Sequence, residues 1–289
     1  LEPQIPIQAE ADRLQAHRTA YARRIAAHAG LAPGGAIEAA FEAIPREQFA
    51  GPPPWRILSP QGNSPLLAYD PADLYQDVLI GLGLGHGLNN GQPSLHALCL
   101  AALAPSQGQH AVHVGAGAGY YTALLAMLVG ERGRVDAYEI EPGLAARAQA
   151  NLAGFPHAAV HRRSGAHAPL PACDVLYVNA AAAEPLAAWL DALRPSGRLV
   201  FPLAPLDGSG AMLLVTRIPG QACAARFLCS VEFVPCAGAQ NEQAGRALAA
   251  AFRGGRWRSV NALYRNTLPD ETCWLAGPGW WLGTGEPAA

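Results

Sequence analysis

The chain has 289 residues, 51% of them hydrophobic and 15% charged, with a formal net charge of −2 at pH 7. That composition supports one sizeable core and excludes a general nucleic-acid binder, which needs a basic surface. All twenty basic residues are arginine, so no lysine Schiff base or lysine general base is available.

The chain is read as three segments: 1–80 helical and loop-like, 81–236 the core, and 237–289 an extension. Residues 8–30 predict a helix, because Leu14, Ala20, Tyr21, Ile25 and Ala29 can share one face. Pro33-Gly34-Gly35 ends it. A short helix over Ala36–Ala43 follows, then Ile44-Pro45-Arg46-Glu47-Gln48-Phe49. Gly51–Pro54 is too proline-rich for regular structure. Residues 55–75 read as loop, and Val78–Leu84 as a strand. The polar, glycine-rich stretch Gly85–Ser94 leads into a helix over Leu95–Leu103 and is a candidate substrate loop.

From Ala111 onward strands and helices alternate. Strands are expected at 111–114, 134–138, 158–162, 174–178 and 198–203, with helices at 120–129, 142–152 and 184–193. This order predicts a doubly wound α/β sheet covered on both faces. Met212–Arg217 and Phe227–Val234 predict antiparallel strands. Glu242–Phe252 predicts a helix, and 273–275 and 279–282 two short strands packed by tryptophans. Arg253, Arg256, Arg258 and Arg265, interleaved with Trp257 and Tyr264, read chiefly as a solvated face.

Six cysteines form no C-x-x-C pair, and the nine histidines do not cluster around them. Free thiols in a cytoplasmic setting are therefore expected, and no metal site. No run of 18 apolar residues predicts a membrane span, and no signal-peptide pattern is expected at the start.

The chemistry concentrates in Ala111–Leu125, read AVHVGAGAGYYTALL. A short apolar strand meets Gly115, Gly117 and Gly119, and an apolar helix follows at once. Glycines there let the chain turn sharply and let a ligand approach the backbone. Twenty residues after Gly119, the next strand ends in Glu139, where a carboxylate can accept from both hydroxyls of a ribose. The last glycine comes two residues after the second, not three, which argues against a nicotinamide dehydrogenase. The tighter turn resembles the S-adenosylmethionine loop of Rossmann-like methyltransferases. The strand 174–178 ends in Asn179 at the carboxyl edge, where open α/β sheets bind ligands.

Four collinear segments resemble the protein-L-isoaspartate O-methyltransferase family. They are Ala40–Phe49, similar to "A-x-x-x-V-P-R-x-x-F"; Gly85–Pro93, similar to "G-x-G-Q-T-I-S-Q-P"; the glycine loop with Glu139; and Glu232-Phe233-Val234-Pro235, similar to "R-F-V-P". The resemblance covers roughly 36–236. It implies a Rossmann-like methyltransferase fold and S-adenosylmethionine as cofactor. It also implies cofactor contacts at His113, Gly115, Ala116, Gly117, Gly119, Tyr120, Glu139, Ile140, Ala166, His167 and Asn179. Carried onto the substrate loop, it makes Asn89, Asn90 and Gln92 the amide donors to an acceptor carboxylate. Three positions depart from the family. Gly91 stands at the loop serine, His113 at an acid before the glycines, and Ala166 at the aspartate beside the adenine. His167 and Ser164 are candidate substitutes for that aspartate.

The expected reaction is methyl transfer to a carboxylate of a peptide, protein or small molecule. Such an acceptor is ionised at neutral pH, so no general base is required. Alignment and exclusion of water then carry catalysis. The alternative is a non-catalytic methyltransferase-like binding or assembly module. The extension after 236 is a candidate surface for a homodimer.

Overall fold

The computed structural model describes residues 7–58, 65–83, 87–166, 169–206, 209–220 and 222–287. Three helices open it: α1 (Ile7–His28), α2 (Ala36–Ala43) and α3 (Arg46–Ala50). On α1, Tyr21, Ala22 and Ile25 are fully buried and Leu14 packs beside them, as helical spacing directs. Arg46 is buried under this layer. Its Nη1 donates to the carbonyls of Leu74 and Gln76, and Nη2 to Val78. Its guanidinium also lies 5.4 Å from the Tyr21 ring centroid. One arginine thus ties α3 to the segment that leads into the substrate loop.

The stretch 55–75 is not all loop. β1 (Trp55–Leu58) pairs with β2 (Leu66–Ala68) and β3 (Leu79–Ile80) in a small antiparallel sheet. Trp55 and Ile57 alternate inward against Leu74 and Ile80; this period-two signal is short and lies beside the proline run. The strand expected over Val78–Leu84 reduces to Leu79–Ile80 plus a bridge from Gly81 to Asn89. Residues 84–86 lie outside the described residues.

The main sheet begins after α4 (Pro93–Leu103), with β4 (His110–Val114), α5 (Tyr120–Val129), β5 (Arg134–Tyr138), α6 (Pro142–Asn151), β6 (Ala158–His161) and β7 (Cys173–Val178). α7 (Ala187–Ala192) is shorter than expected, starting after Pro185, which restricts the residue before it. β8 (Leu193–Leu203), β9 (Gly210–Arg217), β10 (Ala222–Val231), α8 (Glu242–Arg253), β11 (Ala262–Arg265), β12 (Cys273–Gly277) and β13 (Trp280–Gly283) complete the chain.

The sheet has ten strands in the order β12-β13-β11-β10-β9-β8-β7-β4-β5-β6. The pairs β6–β5, β5–β4, β4–β7 and β7–β8 are parallel, and the rest are antiparallel. Side chains alternate between two cores: Val175, Tyr177 and Val200 face α1, α4 and α5, while Leu176, Val178, Leu199 and Phe201 face Trp189 and α7. α5 is buried almost all round, which explains its uninterrupted apolar sequence.

The extension is part of this sheet. β11, unforeseen inside the arginine-rich run, pairs with β10, and β13 pairs with β11. Three of the arginines there are engaged: Arg265 donates to Asp191, Arg256 donates to the Thr284 hydroxyl, and Arg258 lies 4.0 Å from the Trp257 ring centroid. Trp280 and Trp281 are buried. No helix among the described residues is long and apolar enough to cross a membrane.

Candidate active site

β4 has β5 on one side and β7 on the other, so the chain changes direction beside it. Ligands in open α/β sheets bind at the carboxyl ends of strands at such a point. The glycine turn sits at the tip of β4. Gly115, Gly117 and Gly119 have φ of 77°, 56° and 93°, which L side chains rarely adopt. A Cβ on Gly119 would also press Ala148 and Leu152 at 3.3 Å, so this glycine lets α5 and α6 approach.

Glu139, at the tip of β5, faces the turn. Its Oε2 accepts from the Gly117 amide at 2.7 Å and its Oε1 from the Glu141 amide at 2.9 Å. The carboxylate is 7% exposed. Burial raises its pKa, and the amides of Glu141, Gly117 and Ile140 only partly offset this. Ile140 beside it is an exposed apolar side chain, a suitable cover for a flat apolar ring.

Asn179 follows β7. Its Nδ2 lies 2.7 Å from Nε2 of His113, whose Nδ1 lies 2.8 Å from the Thr122 hydroxyl. His113 is fully buried and stacked on Tyr177. Burial alone pushes its pKa down to about 3, so the ring is neutral. Nε2 then accepts from the asparagine amide, and Nδ1–H donates to Thr122. That leaves Asn179 Oδ1 buried without a partner among the described residues. The resemblance implies a cofactor contact at His113; in the structure its ring is fully buried and hydrogen-bonded to Asn179.

A cavity of about 780 Å³ joins these parts, lined by Gly115–Ala118, Tyr120, Tyr121 and Asn179, by Leu88–Gln92 with His96, and by Ser230–Val234. This is a size suited to small ligands. Glu139, Ile140 and Ala166 do not line it; Glu139 stands on the β5 side of the turn. The three loop amides are not equivalent. Asn89 Oδ1 accepts from Gly91 N and its Nδ2 donates to Gly87 O. Gln92 Nε2 donates to Asp77 Oδ2 at 2.9 Å, and Asp77 also accepts from Ser94. Asn89 and Gln92 therefore brace the loop. Asn90 Oδ1 accepts from Ile80 N at 2.8 Å; its Nδ2 donates to nothing among the described residues.

The family model for protein-L-isoaspartate(D-aspartate) O-methyltransferase matches residues 26–241. The chain belongs to this family. It is 37% identical over 169 residues to the protein-L-isoaspartate O-methyltransferase of Anaeromyxobacter dehalogenans strain 2CP-C, covering 57% of this chain and 78% of that one. With the Myxococcus xanthus protein of the same name it shares 32% over 179 residues, covering 58% and 82%. A solved protein-L-isoaspartate O-methyltransferase superposes with a TM-score of 0.64 at 21% identity, over 82% of this chain and 69% of the other. A Plasmodium falciparum structure in complex with S-adenosyl-L-homocysteine gives 0.60 at 18% identity, over 76% and 97%. The fold is thus the Rossmann-like methyltransferase fold, and the chain is a member of a methyltransferase family that uses S-adenosylmethionine.

The family's three altered positions now have surroundings. His113 is the neutral brace of Asn179. Ala166 is buried, and its amide donates to Ser164 Oγ, which itself donates to Ala237 O. Ser164 is thus occupied in holding the loop, and His167 lies outside the described residues. Gly91 has φ of 71°, and a Cβ there would fall 2.0 Å from Nε2 of His96. Sequence reasoning missed His96, which sits one helical turn into α4. Its proximity to the family's serine position was the only available signal.

Proposed function

We propose that this protein transfers a methyl group from S-adenosylmethionine to a carboxylate of a peptide or protein, with an isoaspartyl side chain as the leading acceptor. The observation that carries the reading is one cavity shared by the glycine turn, Asn179 and the loop Leu88–Gln92. The residues fit the cofactor. Asn179 Oδ1 is a buried acceptor without a partner among the described residues, which suits the ammonium of an amino-acid end. Glu139 would take the ribose hydroxyls, and Ile140 would cover the base.

When bound, S-adenosylmethionine supplies an electrophilic methyl on a sulfonium. The protein's own task is positioning. Gly115–Ala118 would admit the donor to the backbone, and Asn90 would steer the acceptor carboxylate. Tyr120, Tyr121 and Leu88 would exclude water. A carboxylate is already ionised at neutral pH, so no proton need be removed before attack. Orientation of this kind is worth on the order of 7–11 kcal/mol in favourable cases.

The test uses S-adenosylmethionine labelled in its methyl group with isoaspartyl, aspartyl and glutamyl peptides. Base-labile label on the isoaspartyl peptide, lost in Gly117→Arg, is the expected result. No calorimetric binding of the cofactor, or no transfer to any carboxylate, overturns it.

A further inference from the structure

The cavity wall contains a polar group that the reading above leaves unused. His96 is 2% exposed, and its Nε2 is buried without a hydrogen-bond partner among the described residues. Its Nδ1 lies 2.7 Å from the Tyr177 hydroxyl. Its ring stacks on Tyr121 with centroids 3.5 Å apart and planes 5° from parallel. Burial pulls its pKa well below the ordinary histidine value, and the nearby His113 and Arg46 push the same way. The ring is therefore neutral and held on two sides.

The third side meets Gly91. The position where a Cβ would stand is 2.0 Å from Nε2 and 2.9 Å from Cδ2. The imidazole edge occupies the volume that a side chain at 91 would fill. Gly91 also has φ of 71°, so a side chain is disfavoured there by backbone and by space alike. A loop hydroxyl at 91 and a histidine at 96 are mutually exclusive in this arrangement.

Resting on the carboxylate-methyltransferase reading, we infer that His96 Nε2–H is the acceptor-binding donor of this protein, replacing a hydroxyl that residue 91 does not have. A neutral imidazole carries one N–H. We take the Tyr177 O–H as the donor to Nδ1, which puts the imidazole proton on Nε2, facing Gly91. The Tyr177 hydroxyl keeps its proton, since burial pushes its pKa well above the ordinary value. The Cys99 thiol beside it is likewise held protonated by burial. The Tyr177 hydroxyl and the His96 ring thus run in line from the core to the loop, and the last N–H is left for the substrate. A ring so hard to protonate is a poor general base, which agrees with an acceptor that needs none.

His96→Phe keeps the stacked ring and removes both nitrogens; His96→Gln keeps an N–H donor. Three readouts are taken on each full-length variant: melting temperature, calorimetric binding of S-adenosylhomocysteine, and kcat and KM for the isoaspartyl peptide. Loss of a hydrogen bond to a charged group predicts a fall of ~10–100-fold in kcat/KM for His96→Phe. Product-analogue binding should stay unchanged, and His96→Gln should regain part of the loss. Peptide kinetics within twofold of wild type in a folded His96→Phe overturns the inference, as does equal loss of cofactor binding and acceptor turnover in both variants. A wild-type enzyme that binds cofactor but methylates no carboxylate overturns the functional reading and this inference together.

Discussion

The Oε2 atom of Glu139 lies 2.7 Å from the backbone nitrogen of Gly117, so the acid of β5 closes the glycine turn of β4. Two consecutive strands are joined at the point where a nucleoside would sit. The carboxylate is already committed to two amides, yet each oxygen retains a further lone-pair direction for a hydroxyl donor.

Glu139→Gln is expected to weaken S-adenosylmethionine binding by ~10–100-fold, since a charged acceptor is replaced by a half-donor amide. The pH dependence has two opposite signs. Because burial raises the folded pKa, the stability contribution of this group is present below its unfolded value and lost as pH rises through the folded one. Cofactor affinity needs the ionised form, so it is lost as pH falls through that same raised value. Calorimetry across the acid range should show this loss in wild type and a flatter profile in the variant. An unchanged dissociation constant in Glu139→Gln refutes the ribose role.

Arg46→Met should destabilise the protein by about 3 kcal/mol or more, as hydrogen bonds to charged groups contribute roughly 1.5–3 kcal/mol each. Three carbonyls, of Leu74, Gln76 and Val78, lose their donor. Those carbonyls lie just before the loop, so KM for the peptide acceptor should rise as well. Urea unfolding at neutral pH and steady-state kinetics measure the two effects. A midpoint shift equal to an ordinary surface change contradicts the anchoring role.

Asp136, on β5, collects three side-chain partners. His110 Nε2 lies 2.6 Å from Oδ2, His161 Nε2 lies 2.7 Å from Oδ1, and Arg134 pairs with it at 2.8 Å. Burial opposes the charge, but hydrogen bonds from Arg134, His161 and His110 outweigh it and hold the carboxyl at about 2. Its pKa is lowered, so its contribution is present above the unfolded value and lost as pH falls through the folded one. Asp136→Asn should cost roughly 2 kcal/mol at neutral pH, from about 1.4 kcal/mol per pKa unit. Wild type and variant should converge in stability near the folded pKa. Parallel stability curves across the acid range would contradict this.

The glycine turn and Glu139 were legible because their signal is local: a strand, a tight turn, a helix, then an acid at a set distance. The roles of Asn89, Gln92 and His113 were not, because each is decided by a partner distant in sequence or across the loop. Gln92 reaches Asp77, and His113 reaches Asn179. Arg147 donates to Leu82 O and Phe49 O, clamping the early segment onto α6, and no sequence spacing announces such a contact. β1 and β11 escaped notice for a different reason. Each spans four residues, too few for alternation to outweigh flanking proline or arginine. The antagonism between Gly91 and His96 is visible only in three dimensions, although both residues lie in the segment that resembles the family loop and its helix.

The strands after residue 260 also decide where the ladder ends. β10 is ten residues long, whereas the terminal strands β12 and β6 have five and four. β11 covers the flank of β10 at Ala222–Ala224, so a chain shortened after α8 would bare those three residues. Uncovered flanks recruit other chains, so the appended strands move the end of the ladder from that stretch of β10 to the five-residue β12.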